Sequence, residues 1–152
     1  MKVVDANVLL YAVNVDAPHH ERCRRWLDDA LSGQDTVAFS WIVLLAFVRL
    51  VTKVGLFPRL LSVDEAMDRV DAWLAAPAAV VVEPSPDHPH VVRRLLSEVG
   101  VGGNLVNDAH LAALAIEHRA TIVSFDHDFE RFPGVSWTLP PILDGPSTTG
   151  SG

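Results

Sequence analysis

The 152-residue chain has a single cysteine, Cys23, so it can close no internal disulfide. With no second thiol, a thiolate metal centre is excluded as well. Burial in a helix face is the expected use of that side chain. Long apolar runs are also missing. The stretch from Trp41 to Val48 stops at Arg49, and the one beginning at Trp73 is interrupted by Pro77; a membrane-spanning helix needs about 18 uninterrupted residues. The N-terminal MKVVDANVLL has one lysine, but Asp5 breaks its apolar stretch and no small-residue cleavage site follows. That pattern does not fit a signal peptide, so a cytoplasmic protein with no membrane partner is expected. A basic surplus is absent too. The formal net charge is −7, which ordinarily argues against a polyanionic partner. The argument weakens when acids cluster, because carboxylates drawn round a divalent cation add to the sum without covering the surface. Gly100, Gly102 and Gly103 are not followed by Gly-Lys-Ser/Thr, so they make no P-loop and serve to turn the chain. The 7 histidines show no HExxH or comparable spacing, even though His110 and His127 lie close to acids, and a zinc site is not expected. His19, His20, His88 and His90 sit beside prolines or helix starts and read as surface residues.

What is present is a 49% hydrophobic composition, enough for one substantial core. Residues 1–141 are expected to form one domain, and residues 142–152, with no apolar anchor after Leu143, a disordered tail. Short β-branched runs alternate with longer helical ones, the pattern of an α/β fold with a central, mainly parallel sheet of four to five strands. The strands expected are Lys2 to Val4, Thr36 to Phe39, a buried Ala79 to Glu83, Thr121 to Ser124 and an edge strand over Val135 to Trp137. Helices are expected from Asn7 to Ala12, Pro18 to Leu31, Ser40 to about Val54, Val63 to Ala75, His90 to Val99 and Leu105 to His118. Ser40 and Ser62 stand where helix caps belong. In the second helix Cys23, Trp26, Leu27 and Ala30 share the apolar side, and the basic run Arg22, Arg24 and Arg25 reads as an exposed face.

The acids fall at informative places. Asp5 follows the first strand directly, and Asp126 follows Thr121 to Ser124 with only Phe125 between. Both therefore lie at carboxyl ends of strands, the edge at which open parallel sheets bind ligands. Asp108 occupies the first turn of the helix after the glycine loop, and Asp128 is two residues beyond Asp126. Taken singly, each has a plain alternative as a turn former or helix cap. Together they suit a hard divalent cation, because neighbouring carboxylates resist ionising together until a cation relieves the repulsion. Such a cation can acidify a water, orient it for attack on phosphorus and stabilise the leaving oxygen.

At these residues the sequence resembles the PIN-domain ribonucleases, and within them the VapC toxins of bacterial toxin–antitoxin pairs. VVDANVLLYA, GGNLVNDAHLAALAIEH and TIVSFDHDFERFPGVSW are each similar to family motifs and occur in the family's order. The resemblance implies a three-layer α/β/α fold, with Asp5, Asp108 and Asp126 as metal-coordinating acids and Asp128 as a fourth acid or its support. It implies that Asn7 hydrogen-bonds Asp5 or a ligand water. It further implies Mg²⁺ or Mn²⁺, cleavage of RNA, a homodimer and inhibition by a VapB-type antitoxin. In most relatives the helix matching SWIVLLAFVR carries a glutamate in the acidic pocket; here that position is Ala46. By helical period Ala46, Arg49 and Lys53 lie along one side, so Arg49 and Lys53 are candidate RNA phosphate contacts, with Ser40 a candidate beside the site. The missing acid leaves open a module that binds RNA or antitoxin without cutting. A third reading makes Asp5 the nucleophile of an aspartyl-phosphate enzyme. That chemistry wants a lysine near the late acids, whereas the lysines are Lys2 and Lys53.

Overall fold

The computed structural model describes residues 1–144. Five strands, β1 (Lys2–Val4), β2 (Val37–Phe39), β3 (Ala79–Val81), β4 (Thr121–Val123) and β5 (Ser136–Thr138), form one sheet in the order β3-β2-β1-β4-β5. Every pair is parallel, in registers such as Lys2 opposite Val37 and Lys2 opposite Thr121. Six helices surround it: α1 (Ala6–Val13), α2 (His20–Leu31), α3 (Trp41–Val51), α4 (Val63–Ala75), α5 (His88–Val99) and α6 (Leu105–Glu117). The architecture is the three-layer α/β/α arrangement expected. α1 packs against α2 and α3, α3 against α4, and α5 against α6.

The three inner strands are buried on both faces, which is why they read as unbroken apolar runs rather than alternating ones. Phe39, Phe47, Leu44, Leu9, Leu114 and Ile122 are among the fully buried side chains between the layers. Alanines at 109, 112, 113 and 115 let α6 lie close to its neighbours. Ser62 caps α4 through a reciprocal box: its hydroxyl accepts from the Glu65 N–H at 3.0 Å and the Glu65 carboxylate accepts from the Ser62 N–H at 3.2 Å. Gly100 ends α5 at φ 80°, a left-handed conformation that glycine adopts without a Cβ penalty.

Several expectations need correction. The run from Ala79 makes only a three-residue strand at the edge of the sheet, with Val80 39% exposed, rather than a buried one. A continuous apolar run cannot by itself say whether a neighbour covers both faces. The helix from Ser40 ends at Val51, three residues earlier than its periodicity suggests. His20 and His88 are not surface residues. The His20 Nδ1–H donates to the Tyr11 carbonyl at 2.7 Å, and His88 is enclosed between α5 and α6. Arg24 is exposed and pairs with Glu21 and Asp28, but Arg22 turns inward to Pro140 and Phe125. Of the expected tail, residues 142–144 carry no regular secondary structure, and 145–152 lie outside the described residues. Among the described residues no helix is long and apolar enough to cross a membrane.

Candidate metal centre

The strand order determines where a site can form. From β1 the chain moves outward to β2 and β3, then returns across the sheet to β4 on the other side of β1. β1 and β4 are thus the pair at which winding reverses, and a crevice opens beyond their carboxyl ends. Asp5 leaves β1 into this crevice and Asp126 follows β4 into it. α6 brings Asp108 in on its first turn, and a short 3-10 helix (His127–Arg131) supplies Asp128.

Carboxylate oxygens of Asp108, Asp126 and Asp128 all lie within 4.8 Å of one another. Asp5 stands beside this trio rather than within it. It lines a cavity of about 80 Å³ together with Ala6, Ile42, Ala46, Asn107 and Asp108. Burial pushes the Asp108 carboxyl up to about 6, and the charges of Asp126, Asp5 and Asp128 add to that rise. Burial also raises Asp5, against hydrogen bonds from Ser124 and the Ala6 N–H that favour its charge, while Asp126 repels it. A set of acids that hinder one another's ionisation, offers oxygen only and sits at a sheet's ligand edge is suited to a hard divalent cation. The donor chemistry therefore fits a hard divalent cation, with Asp108, Asp126 and Asp128 as the group able to hold it.

Two of the acids, Asp5 and Asp126, are oriented by their neighbours. Asp5 caps α1, taking the Ala6 N–H on Oδ1 at 2.7 Å, so the plain reading of this residue as a helix cap and the reading as a site residue both apply. Its Oδ2 accepts from the Ser124 hydroxyl at 2.6 Å and from Asn7 Nδ2 at 3.4 Å. Ser124 is the hub. Besides donating to Asp5 it accepts from Asn7 Nδ2 at 3.0 Å and from the Asp126 N–H at 2.9 Å, which uses its one proton and both lone pairs. Asp126 in turn caps the 3-10 helix, accepting from the Asp128 N–H at 2.9 Å. Trp137 on β5 donates to the Ser124 carbonyl at 3.1 Å, fixing the end of β4.

Asn7 meets the expectation that it binds Asp5, and also accepts from the Phe125 N–H at 3.2 Å. Ala46 lines the cavity with Asp5 and Asp108, as its helical position suggested. Arg49 and Lys53, expected on the same helix side, are exposed and do not line that cavity. Ser40 occupies the cap position of α3, but it is 2% exposed and its hydroxyl has no hydrogen-bond partner among the described residues, so it is out of reach of an RNA strand. The aspartyl-phosphate reading loses its footing, since both Asp5 oxygens are engaged and Lys53 lies outside the pocket.

Ser124 and Asn107 were not singled out from the sequence. A serine ending the apolar TIVS run is a weak signal, and two of its three partners, Asp5 and Asn7, come from the far end of the chain. A second polar cluster was likewise hidden. Glu117 accepts from the Ser85 N–H at 2.7 Å and from the Ser85 hydroxyl, and binds His88 Nδ1 at 2.5 Å, while His88 Nε2 meets His110 Nδ1 at 2.8 Å. Burial alone would raise Glu117, but the Ser85 and His88 contacts outweigh it and hold the carboxyl below its ordinary value.

Residues 2–135 match the PIN domain family. The chain belongs to the PIN domain family. Among its VapC relatives, Ribonuclease VapC37 of Mycobacterium tuberculosis is 63% identical over 143 residues, covering 94% of this chain and 99% of that protein. Ribonuclease VapC43 of the same species is 40% identical over 145 residues, covering 95% and 97%. The PIN fold is matched in solved structures too. VapBC2 of Rickettsia felis, bound to a promoter DNA fragment, aligns at TM-score 0.69 and 23% identity over 91% of this chain and 97% of that one. VapC20 of M. tuberculosis, a sarcin-ricin loop cleaving toxin, aligns at 0.65 and 18% over 86% and 93%.

Proposed function

We propose that this PIN domain is the toxin of a toxin–antitoxin pair: an endoribonuclease that hydrolyses RNA phosphodiester bonds with Mg²⁺ or Mn²⁺ held by Asp108, Asp126 and Asp128, and with Asp5 beside them. The observation that carries this reading is the convergence of those carboxylates at the β1/β4 crevice. The VapC relatives, ribonucleases by name over nearly the full chain, supply the reaction class. When bound, a divalent cation supplies an acidified water, its alignment with phosphorus and charge to offset the leaving oxygen. The chain's own part is positioning. Ser124 and Asn7 hold Asp5, Asp126 anchors the turn that presents Asp128, and Asp108, its carboxyl pushed up to about 6 by burial, would hold a cation in its ionised form. A VapB-type antitoxin as inhibitor, a homodimer and a cytoplasmic location belong to the same reading.

Purified protein incubated with structured RNA and Mn²⁺ is expected to cut it, and to stop on EDTA addition or with Asp126→Asn. Cleavage that survives both treatments overturns the mechanism. One observation favours a second reading, a module that binds without cutting: Ala46 lines the cavity at the position where the family resemblance implies a glutamate. RNA binding without cleavage, restored to cleavage in Ala46→Glu, would establish it.

A further inference from the structure

Phe125 stands between Ser124 and Asp126, and its ring organises a second cluster on the flank of the acidic centre. The His19 imidazole stacks on it with centroids 4.8 Å apart and planes 15° from parallel. Tyr11 leans against it at 5.5 Å. The Arg22 guanidinium carbon lies 5.4 Å from the ring centroid, and Arg22 Nε donates to the Pro140 carbonyl at 2.6 Å. Two features of this cluster point beyond packing. His19 adopts φ 60° and ψ 19°, a left-handed conformation that most side chains avoid, and it is nevertheless exposed. Arg22 is half-buried and makes no ion pair among the described residues, in a chain with 19 acidic residues against 12 basic ones. A fixed guanidinium without an acid, beside an exposed ring already stacked on another, matches the two halves of a nucleotide. The planar fork takes a phosphate, and the flat ring takes a base. A peptide carboxylate would satisfy Arg22 and leave the exposed side of the His19 ring uncovered.

We propose that His19, Phe125 and Arg22 form an RNA subsite flanking the acidic centre, in which one base stacks on His19 and an adjoining phosphate pairs with Arg22. This rests on the ribonuclease reading for its ligand class and adds where the strand is gripped. The test is fluorescence anisotropy in EDTA with a labelled single-stranded RNA octamer and an abasic strand of equal length. His19→Gly, which suits the left-handed backbone, is expected to weaken octamer binding about fivefold or more and to leave the abasic strand unaffected. His19→Phe is expected to restore it. Arg22→Gln is expected to weaken both strands and to lower the salt dependence by about 0.7 in logarithmic slope. Thermal melts of each variant guard against unfolding. Wild-type affinity in both deletion variants overturns the proposal and leaves the cluster as a contact for another protein; so does His19→Phe binding no better than His19→Gly, or a wild-type protein that binds neither strand. Octamer binding that depends on His19, with no cleavage in Mn²⁺, overturns the ribonuclease reading and keeps the subsite. Cleavage with unchanged variants does the reverse.

Discussion

Single residues set the chemistry through the cost of holding charge. Asp108 has a folded-state pKa of about 6 against an ordinary 3.8, with burial the main cause and neighbouring carboxylates adding to it. A raised carboxyl pKa means that the fold disfavours the charged form. The liability is absent below the unfolded value, grows as pH rises between the two values and is complete above about 6. Asp108→Asn should therefore raise the melting temperature of the metal-free protein at pH 8 and leave it nearly unchanged at pH 3.5, as followed by circular dichroism. An equal gain at both pH values would mean that charge is not the cause. Ser124 carries the opposite kind of effect. Ser124→Ala leaves the buried side of Asp5 and the Asp126 N–H without their partner. The expected loss is about 2 kcal/mol in urea melts. Mn²⁺ affinity should fall about 10- to 100-fold by calorimetry, the range seen when groups that orient metal ligands are removed. The acids themselves were legible in the sequence because each sits at an element boundary. Ser124 was not, since its importance lies in hydrogen bonds that join the distant Asp5 and Asn7 to Asp126.

At the scale of elements, local physics explains most boundaries. α4 starts where Ser62 and Glu65 satisfy each other's backbone donors, and Ser62→Ala is expected to cost about 1 kcal/mol in denaturant unfolding. Glu65→Ala should cost less, and the double variant less than the sum if the box acts as a unit. A double variant that is simply additive would show two independent contacts. Periodicity also located α2, α5 and α6, whose apolar residues recur at helical spacing. It failed for β3, because AVV looks the same in an edge strand as in a central one, and among the described residues no strand pairs beyond β3, so Val80 and Val81 are exposed. It failed for His88 too. Beside a proline at a helix start the residue looks solvent-facing, yet α6 packs over it and supplies Glu117 and His110.

For the whole molecule, the question is which apolar surface remains after folding. Trp73 is buried against Phe39 and Phe47 and offers no such surface. Trp41 and Leu45 on α3 remain, Leu45 at 60% exposure, as does Val106 on α6. Sedimentation at micromolar concentration is expected to give the mass of two chains, and Leu45→Asp to give one. A wild-type monomer would remove the homodimer from the proposed function. By itself the sequence determined the alternation of strands and helices, the parallel sheet and the placing of Asp5 and Asp126 at strand ends, because these follow from residue periodicity and from short-range capping. Only the tertiary structure decided the order β3-β2-β1-β4-β5 and the joining of Asp5 to Asp126 through Ser124. Pairing order and hydrogen-bond partners depend on contacts between segments distant along the chain, and such contacts exist only once the layers have packed.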